Sequence, residues 1–256
     1  MSTQYNNKKN TIDPQEIERF SALSEKWWDT KGEFAPLHRF NPTRLEYIRK
    51  KVCDHFKLDK HNLQVLDGLK VLDVGCGGGL VTEPIARMGA ATIGIDASEK
   101  CVGVARHHAE MNQLNIDYRT STAEILAEEK YEFDIILALE IIEHVQDRDL
   151  FIQACTKLIK PGGIGIFATL NRTAKSFFQA ILGAEYVLRW LPRGTHQWDR
   201  FVKPSELANS LKEQGLIVSD ISGVKLNIFK NDWFISNDIA VNYLLCAEKP
   251  KGRSLS

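Results

Sequence analysis

Between Val71 and Leu80 the chain reads V-L-D-V-G-C-G-G-G-L, and a second apolar run, T-I-G-I-D, closes on Asp96 about one βαβ step later. No other stretch constrains the fold as strongly. An apolar run that ends in a glycine-dense turn has the pattern of a buried strand whose carboxyl end meets a small-molecule ligand. Glycine lets the main chain approach that ligand with no Cβ in the way. An acidic residue at the tip of the next strand can accept hydrogen bonds from both hydroxyls of a ribose.

The spacing narrows the ligand. A dinucleotide fingerprint G-x-G-x-x-G starting at Gly75 needs its third glycine at position 80, which is Leu80. That argues against a nicotinamide dehydrogenase. Asp73 puts a carboxylate beside the turn, poor company for a pyrophosphate and good company for a cation. The cofactor that joins a ribose, an adenine and a cationic amino-acid tail is S-adenosylmethionine. On this reading Asp73, Gly75, Gly77 and Asp96 hold the cofactor. The plain alternative is a tight strand-to-helix turn with no ligand.

Around this motif, strands are expected at 70–74, 92–96, 116–120, 133–138 and 164–170, with helical stretches between them. Two further strands are expected at 216–221 and 240–248. The alternation predicts an α/β fold, a doubly wound, mostly parallel seven-stranded sheet built of right-handed βαβ units. Pro161-Gly162-Gly163 reads as the turn that launches the fifth strand. Ahead of the core, Ile17, Phe20, Leu23 and Trp27 have helical spacing; a charged loop follows, and Leu45, Ile48 and Val52 resume the helical pattern. The expected organisation is an N-terminal helical cap over residues 1–60, the α/β domain over 61–250 and a tail over 251–256.

With 33 Lys+Arg against 33 Asp+Glu, the chain has no global field to draw in nucleic acid. Five cysteines without a C-x-x-C pair point to reduced thiols and a cytoplasmic setting. The polar N-terminus has no apolar stretch of the secretory type. No apolar run nears the ~18 residues of a membrane span, so any membrane contact is expected from the side.

Several further motifs occur in order: W-W-D-x-x-G-E-F-x-P-L-H-R-x-N-P-x-R from Trp27 to Arg44, E-I-I-E-H-V from Glu140, K-P-G-G from Lys160, T-L-N-R from Thr169, G-A-E-Y-V-L-R from Gly183 and P-x-G-T-H from Pro192. With the glycine turn they resemble the ubiquinone-biosynthesis O-methyltransferase family of class I S-adenosylmethionine-dependent methyltransferases, over roughly residues 12–247. The resemblance implies O-methylation of a polyprenyl catechol and of 3-demethylubiquinol, with Arg44, Gly75, Asp96 and Leu139 as cofactor contacts. Leu139 stands where many relatives carry Met, an exchange that conserves volume. It also implies an N-terminal segment folded over the cofactor, with Arg44 suited to the methionyl carboxylate.

Methyl transfer to a catechol requires a phenolate, hence a base or a cation. If Glu140 begins a helix, Glu140, Glu143 and His144 share one face and form a divalent-metal site, for which the resemblance favours Mg²⁺. The histidine fits Mn²⁺, Zn²⁺ or Fe²⁺ better than Mg²⁺. His144 as a metal-free base, or a structural role for the motif, are the alternatives. His196 is a possible substrate contact, and His107-His108 reads as solvated surface. Trp27 and Trp28 are expected to pack one in, one out.

The segment 171–204 is long, aromatic and basic, and starts on the ligand side of the fifth strand. It is expected to form a lid against an anionic membrane surface, placing the protein at the cytoplasmic face of the inner membrane. A helical hairpin or a dimer contact is the alternative, and a ubiquinone-synthesis complex a possible partner. L-A-L-E-I-I-E-H stands where nucleic-acid N-methyltransferases carry an N-P-P-Y type tetrapeptide, so no nucleic-acid partner is expected. A methyltransferase for another quinone or a small catechol, and a non-catalytic cofactor-binding subunit, are the remaining rivals.

Overall fold

The structure, a computed structural model, describes residues 11–177, 198–227 and 232–252. Strands β1 (Lys70–Val74), β2 (Ala91–Asp96), β3 (Asp117–Thr120), β4 (Phe133–Leu139), β5 (Ile159–Leu170), β6 (Ile217–Asn227), β7 (Asp232–Ser236) and β8 (Asn242–Glu248) form one sheet in the order β3-β2-β1-β4-β5-β8-β6-β7. β1 to β5 are parallel, while β8, β6 and β7 pair antiparallel. The α/β, doubly wound architecture is as expected. The sheet has eight strands rather than seven, because β7 adds a short hairpin partner to β6. Its mixed burial offers little of the apolar run that marks a core strand.

The central strands are apolar without alternation because both faces are covered. Leu72, Val74, Ile136 and Phe167 pack on one face, with Phe151 of α6 (Arg148–Leu158). Val71, Ile135, Leu137, Ile164 and Ile166 pack on the other, with Ile48 and Val52. Pro161-Gly162-Gly163 lies inside β5 rather than before it, next to a register shift against β4. β3 starts one residue later than expected, β6 runs on to Asn227, and β8 starts at Asn242.

The N-terminal region packs on this core through α1 (Pro14–Ala22) and α2 (Ala35–Phe56). Asp13 caps α1 by accepting from the Gln15 N–H at 3.1 Å, and Pro14 needs no donor at the first helical position. The expected loop before Leu45 is largely helical, since α2 starts ten residues earlier. Pro36 sits in its first turn, where a missing N–H costs nothing. Pro42 lies inside the helix, and burial of Phe40, Thr43, Arg44, Tyr47 and Ile48 offsets the lost hydrogen bond. No described helix is long and apolar enough to cross a membrane.

Candidate active site

The carboxyl ends of the parallel strands form a crest, and a cavity of about 950 Å³ opens there. Gly75 and Gly77, with φ of 74° and 53°, turn the chain off β1 through the left-handed region that only glycine enters without strain. The Gly77 N–H donates to Asp96 Oδ2 at 3.0 Å and the Ser98 N–H to Oδ1 at 2.8 Å. The turn and the β2 tip are thus one hydrogen-bonded unit. Burial pushes the Asp96 carboxyl up, against these two N–H groups, which hold it down.

The space above the turn is shared with protein side chains. A Cβ on Gly77 or Gly78 would overlap the Trp27 indole, and one on Gly75 would overlap Ile141. Trp27 is buried and stacks on Phe34, with ring centroids 4.1 Å apart. Trp28 is half-buried, donates from Nε1 to the Gly78 carbonyl at 3.0 Å, and stacks on His108 at 3.4 Å. His108 is therefore not solvated surface: its Nδ1 also lies 2.6 Å from the buried Glu83 carboxylate. The sequence pattern cannot show these partners, because Trp28 arrives from the N-terminal region and Glu83 from the helix after the glycine turn.

Asp73 is buried and accepts from Thr82 Oγ1 at 2.6 Å. Burial pushes its carboxyl up to about 6, with Arg44 opposing. Arg44 is buried to 4% exposure on α2, with one Nη donating to Asn41 at 3.1 Å and the guanidinium over the Phe40 ring at 4.9 Å. Burial lowers its pKa, opposed by Glu140 and Asp73. Its Nε has no hydrogen-bond partner among the described residues. Arg44, Asp73, Gly75, Gly77, Asp96 and Leu139, the cofactor residues expected from sequence, all line the one cavity.

The E-x-x-E-H segment departs from expectation. Glu140 does not begin a helix: its φ is 54°, an unusual left-handed conformation for a side-chain-bearing residue. The helical piece is a single 3-10 turn, Ile142–His144. Glu143 is buried and accepts from Thr169 Oγ1 at 2.8 Å. Burial and the Glu140 charge raise its pKa, which favours the protonated form. His144 places Nδ1 2.8 Å from Glu16 of α1 and its ring edge-on to Phe20. No group of three or more His, Cys, Asp or Glu among the described residues is arranged to hold a metal ion. The expected convergence of Glu140, Glu143 and His144 fails because the left-handed Glu140 interrupts the helix that would have put them on one face. These residues do not fit a divalent-metal site.

In its place stands a Glu16–His144 pair that the sequence reading missed. Although burial pushes the Glu16 carboxyl up, hydrogen bonding to His144 and the charges of His144, Arg19 and Arg200 hold it below the ordinary carboxylate range. Arg19 also donates to Glu16 at 2.7 Å. Glu16 occupies an ordinary polar position of an amphipathic helix, so only the Asp13-Pro14 helix start hinted at its placement. His196 and the middle of segment 171–204, residues 178–197, fall outside the described residues. Arg200, described at the far side, donates to Asp13 at 2.9 Å.

Residues 72–167 match a methyltransferase domain family model. The ubiquinone biosynthesis O-methyltransferase of Sinorhizobium fredii NGR234 is 52% identical over 242 residues, covering 94% of this chain and 98% of the relative. Its counterpart in Chelativorans sp. BNC1 is 51% identical, covering 97% and 98%. This chain belongs to the ubiquinone biosynthesis O-methyltransferase family. Solved structures agree in fold. The magnesium protoporphyrin IX methyltransferase of Synechocystis PCC 6803 with bound SAH covers 92% of this chain and 94% of its own at 18% identity, TM-score 0.61. A methyltransferase of Clostridium acetobutylicum covers 91% and 98% at 14% identity, TM-score 0.57. As a family member the chain is an S-adenosylmethionine-dependent methyltransferase, and the crest fits that cofactor. A buried guanidinium with an unpaired Nε suits a carboxylate, and Asp96 suits a ribose.

Proposed function

We propose that this chain methylates the phenolic hydroxyl of a polyprenyl catechol and of 3-demethylubiquinol, with His144 as the base. The observation that carries this reading is the Glu16–His144 pair on the wall of the same cavity as Asp96 and the glycine turn. S-adenosylmethionine, when bound, supplies a methyl group activated by sulfonium. Arg44 pairs with its carboxylate, Asp96 holds its ribose, and Leu139 packs against its adenine. With Nδ1 donating to Glu16, the ring nitrogen that takes the phenol proton is Nε2. The Glu16 carboxylate stabilises the imidazolium that results. Leu170, Val224 and Trp233 give the far cavity wall an apolar character suited to a prenylated ring. No step runs through a metal.

The polyprenyl acceptor also supports a peripheral membrane location, with the apolar and basic segment 171–204 meeting an anionic surface and the N-terminal cap closing the cofactor site. The decisive assay incubates the protein with labelled S-adenosylmethionine and a short-chain demethylubiquinol. Label on the quinol oxygen is expected. Label on carbon, or methylation of a small soluble catechol in preference to the prenylated acceptor, would overturn the reading.

A further inference from the structure

Ile17 and Phe20 are only half-buried, and no residue of α1 is fully buried. At nine residues the helix is also shorter than the roughly 12–15 that an isolated helix needs in water. Core packing alone therefore does not fix where α1 sits, yet it carries Glu16, the partner of His144. Its orientation falls to polar ties at its two ends. At the carboxyl end Ser21 Oγ lies 2.6 Å from Ser98 Oγ, just past the β2 tip. At the amino end Asp13 is buried and bonded through both oxygens. Oδ1 accepts from the Gln15 N–H, and Oδ2 accepts from Arg200 at 2.9 Å. Although burial pushes the Asp13 carboxyl up, Arg200 and the Gln15 N–H hold it below the ordinary carboxylate range. Burial likewise pushes Glu16 up, and the Arg200 charge is among those that hold it down.

Arg200 is itself held in place. It ends a single 3-10 turn, Trp198–Arg200. Before it, Trp198 Nε1 donates to the Thr173 carbonyl at 3.0 Å. After it, Phe201 is buried against Leu170. The Val202 N–H donates to the Leu170 carbonyl at 3.0 Å, and the Tyr243 hydroxyl donates to the Val202 carbonyl at 3.0 Å. The guanidinium thus reaches α1 from a post tied to β5 and β8. Its side chain is 32% exposed, so the ion pair adds little net stability. Its consequence is orientation.

We infer that Arg200 is a positioning residue for methyl transfer: its ion pair with the Asp13 cap sets the start of α1 and so the place where Glu16 meets His144. Asp13 and Glu16 are three residues apart, so a shift of the cap reaches Glu16 within one helical turn. Glu16 then moves against His144 Nδ1, and the imidazole turns with it. The assignment rests on the reading of His144 as the base. It involves no contact of Arg200 with acceptor or cofactor.

The test is methyl-transfer kinetics of the full chain with S-adenosylmethionine and a short-chain demethylubiquinol, beside calorimetry with S-adenosylhomocysteine. Arg200→Gln should lower kcat by roughly 5- to 10-fold, the scale on which a slightly misplaced catalytic group is felt. KM for both substrates and affinity for S-adenosylhomocysteine should stay within about threefold of wild type. Arg200→Lys keeps the charge and should recover most of the rate. Asp13→Ser keeps a good N-cap but cannot reach Arg200, so it should reproduce the loss, and it decides the matter alone if Arg200→Gln does not fold. The Asp13→Ser, Arg200→Gln double variant should be no slower than either single one. In a Glu16→Gln background, Arg200→Gln should cost less than about twofold, because it acts through Glu16. Wild-type kcat in Arg200→Gln or Asp13→Ser, with Glu16→Gln slow, would overturn the assignment. So would a full additional loss in the Glu16→Gln background, or a rise in KM with kcat intact. Wild-type rates in both Glu16→Gln and His144→Asn would instead bring down the base reading beneath it.

Discussion

His144 Nδ1 lies 2.8 Å from the Glu16 carboxylate, with side-chain exposures of 17% and 13%. The proposed base therefore depends on a helix that precedes the sheet, and Arg19 on the same helix holds the same Glu16 oxygen, Oε2. His144→Asn should lower kcat by roughly 10²–10⁴-fold. Glu16→Gln should lower kcat by at least about ten-fold, with Glu16→Asp recovering part of it. Affinity for S-adenosylhomocysteine should stay near wild type in all three variants. Single-turnover kinetics alongside calorimetry separates the two effects, and loss of cofactor affinity with kcat intact would contradict the assignment.

Arg44 is buried near the charges of Asp73 and Glu140, with its Nε unpaired among the described residues. A lysine keeps the charge but loses the planar fork that matches a carboxylate. Arg44→Lys should weaken S-adenosylhomocysteine binding by about 10- to 100-fold. The same substitution should leave binding of 5′-methylthioadenosine, which lacks the amino-acid tail, within about threefold. Equal losses for both ligands would show that Arg44 acts on the fold and not on the tail.

Asp73 makes stability depend on pH with a defined sign. Burial raises its carboxyl from 3.8 to about 6 in the folded protein. The folded state thus holds the proton more tightly, and its stability falls as pH rises from about 4 to 6. Above 6 the full penalty remains, at most about 3 kcal/mol. Asp73→Asn removes it while an amide oxygen still accepts from Thr82. The variant should melt close to wild type near pH 4.5 and clearly higher at pH 7.5. A constant difference across that range, read by thermal denaturation, would contradict the buried ionised carboxylate.

Gly78 has an ordinary negative φ, so a side chain there is opposed by Trp27 and not by the backbone. Gly78→Ala should destabilise the protein by about 1–3 kcal/mol. In a Trp27→Ala background the same change should cost much less, giving a coupling energy of about 1 kcal/mol or more in a double-mutant cycle. Additive effects in urea unfolding would mean that the indole does not rest on the turn.

The glycine turn, Asp96, and the alternation of apolar strands with helices were legible in the sequence because they are local. A buried parallel strand must be apolar on both faces, and a turn with several left-handed residues favours glycine. β7 was not legible, since a short, half-exposed hairpin partner has neither a long apolar run nor a clean alternation. The start of α2 was hidden by Pro36 and Pro42, which read as loop residues until burial of Phe40 and Arg44 is counted.

The sequence by itself determined the parallel strands and the glycine turn that meets Asp96 at their crest, because each depends on residues close together along the chain. Only the tertiary structure decided which groups meet the acidic and basic side chains gathered there. Glu143 turns to Thr169, His144 to Glu16, His108 to Glu83 and Trp28, and Glu124 to Thr11. Each of these partners is distant in sequence, and a buried polar group takes its chemistry from whatever packing brings within about 3 Å. The E-x-x-E-H spacing implied a shared helical face, and a single residue in a left-handed conformation was enough to send its side chains to different partners.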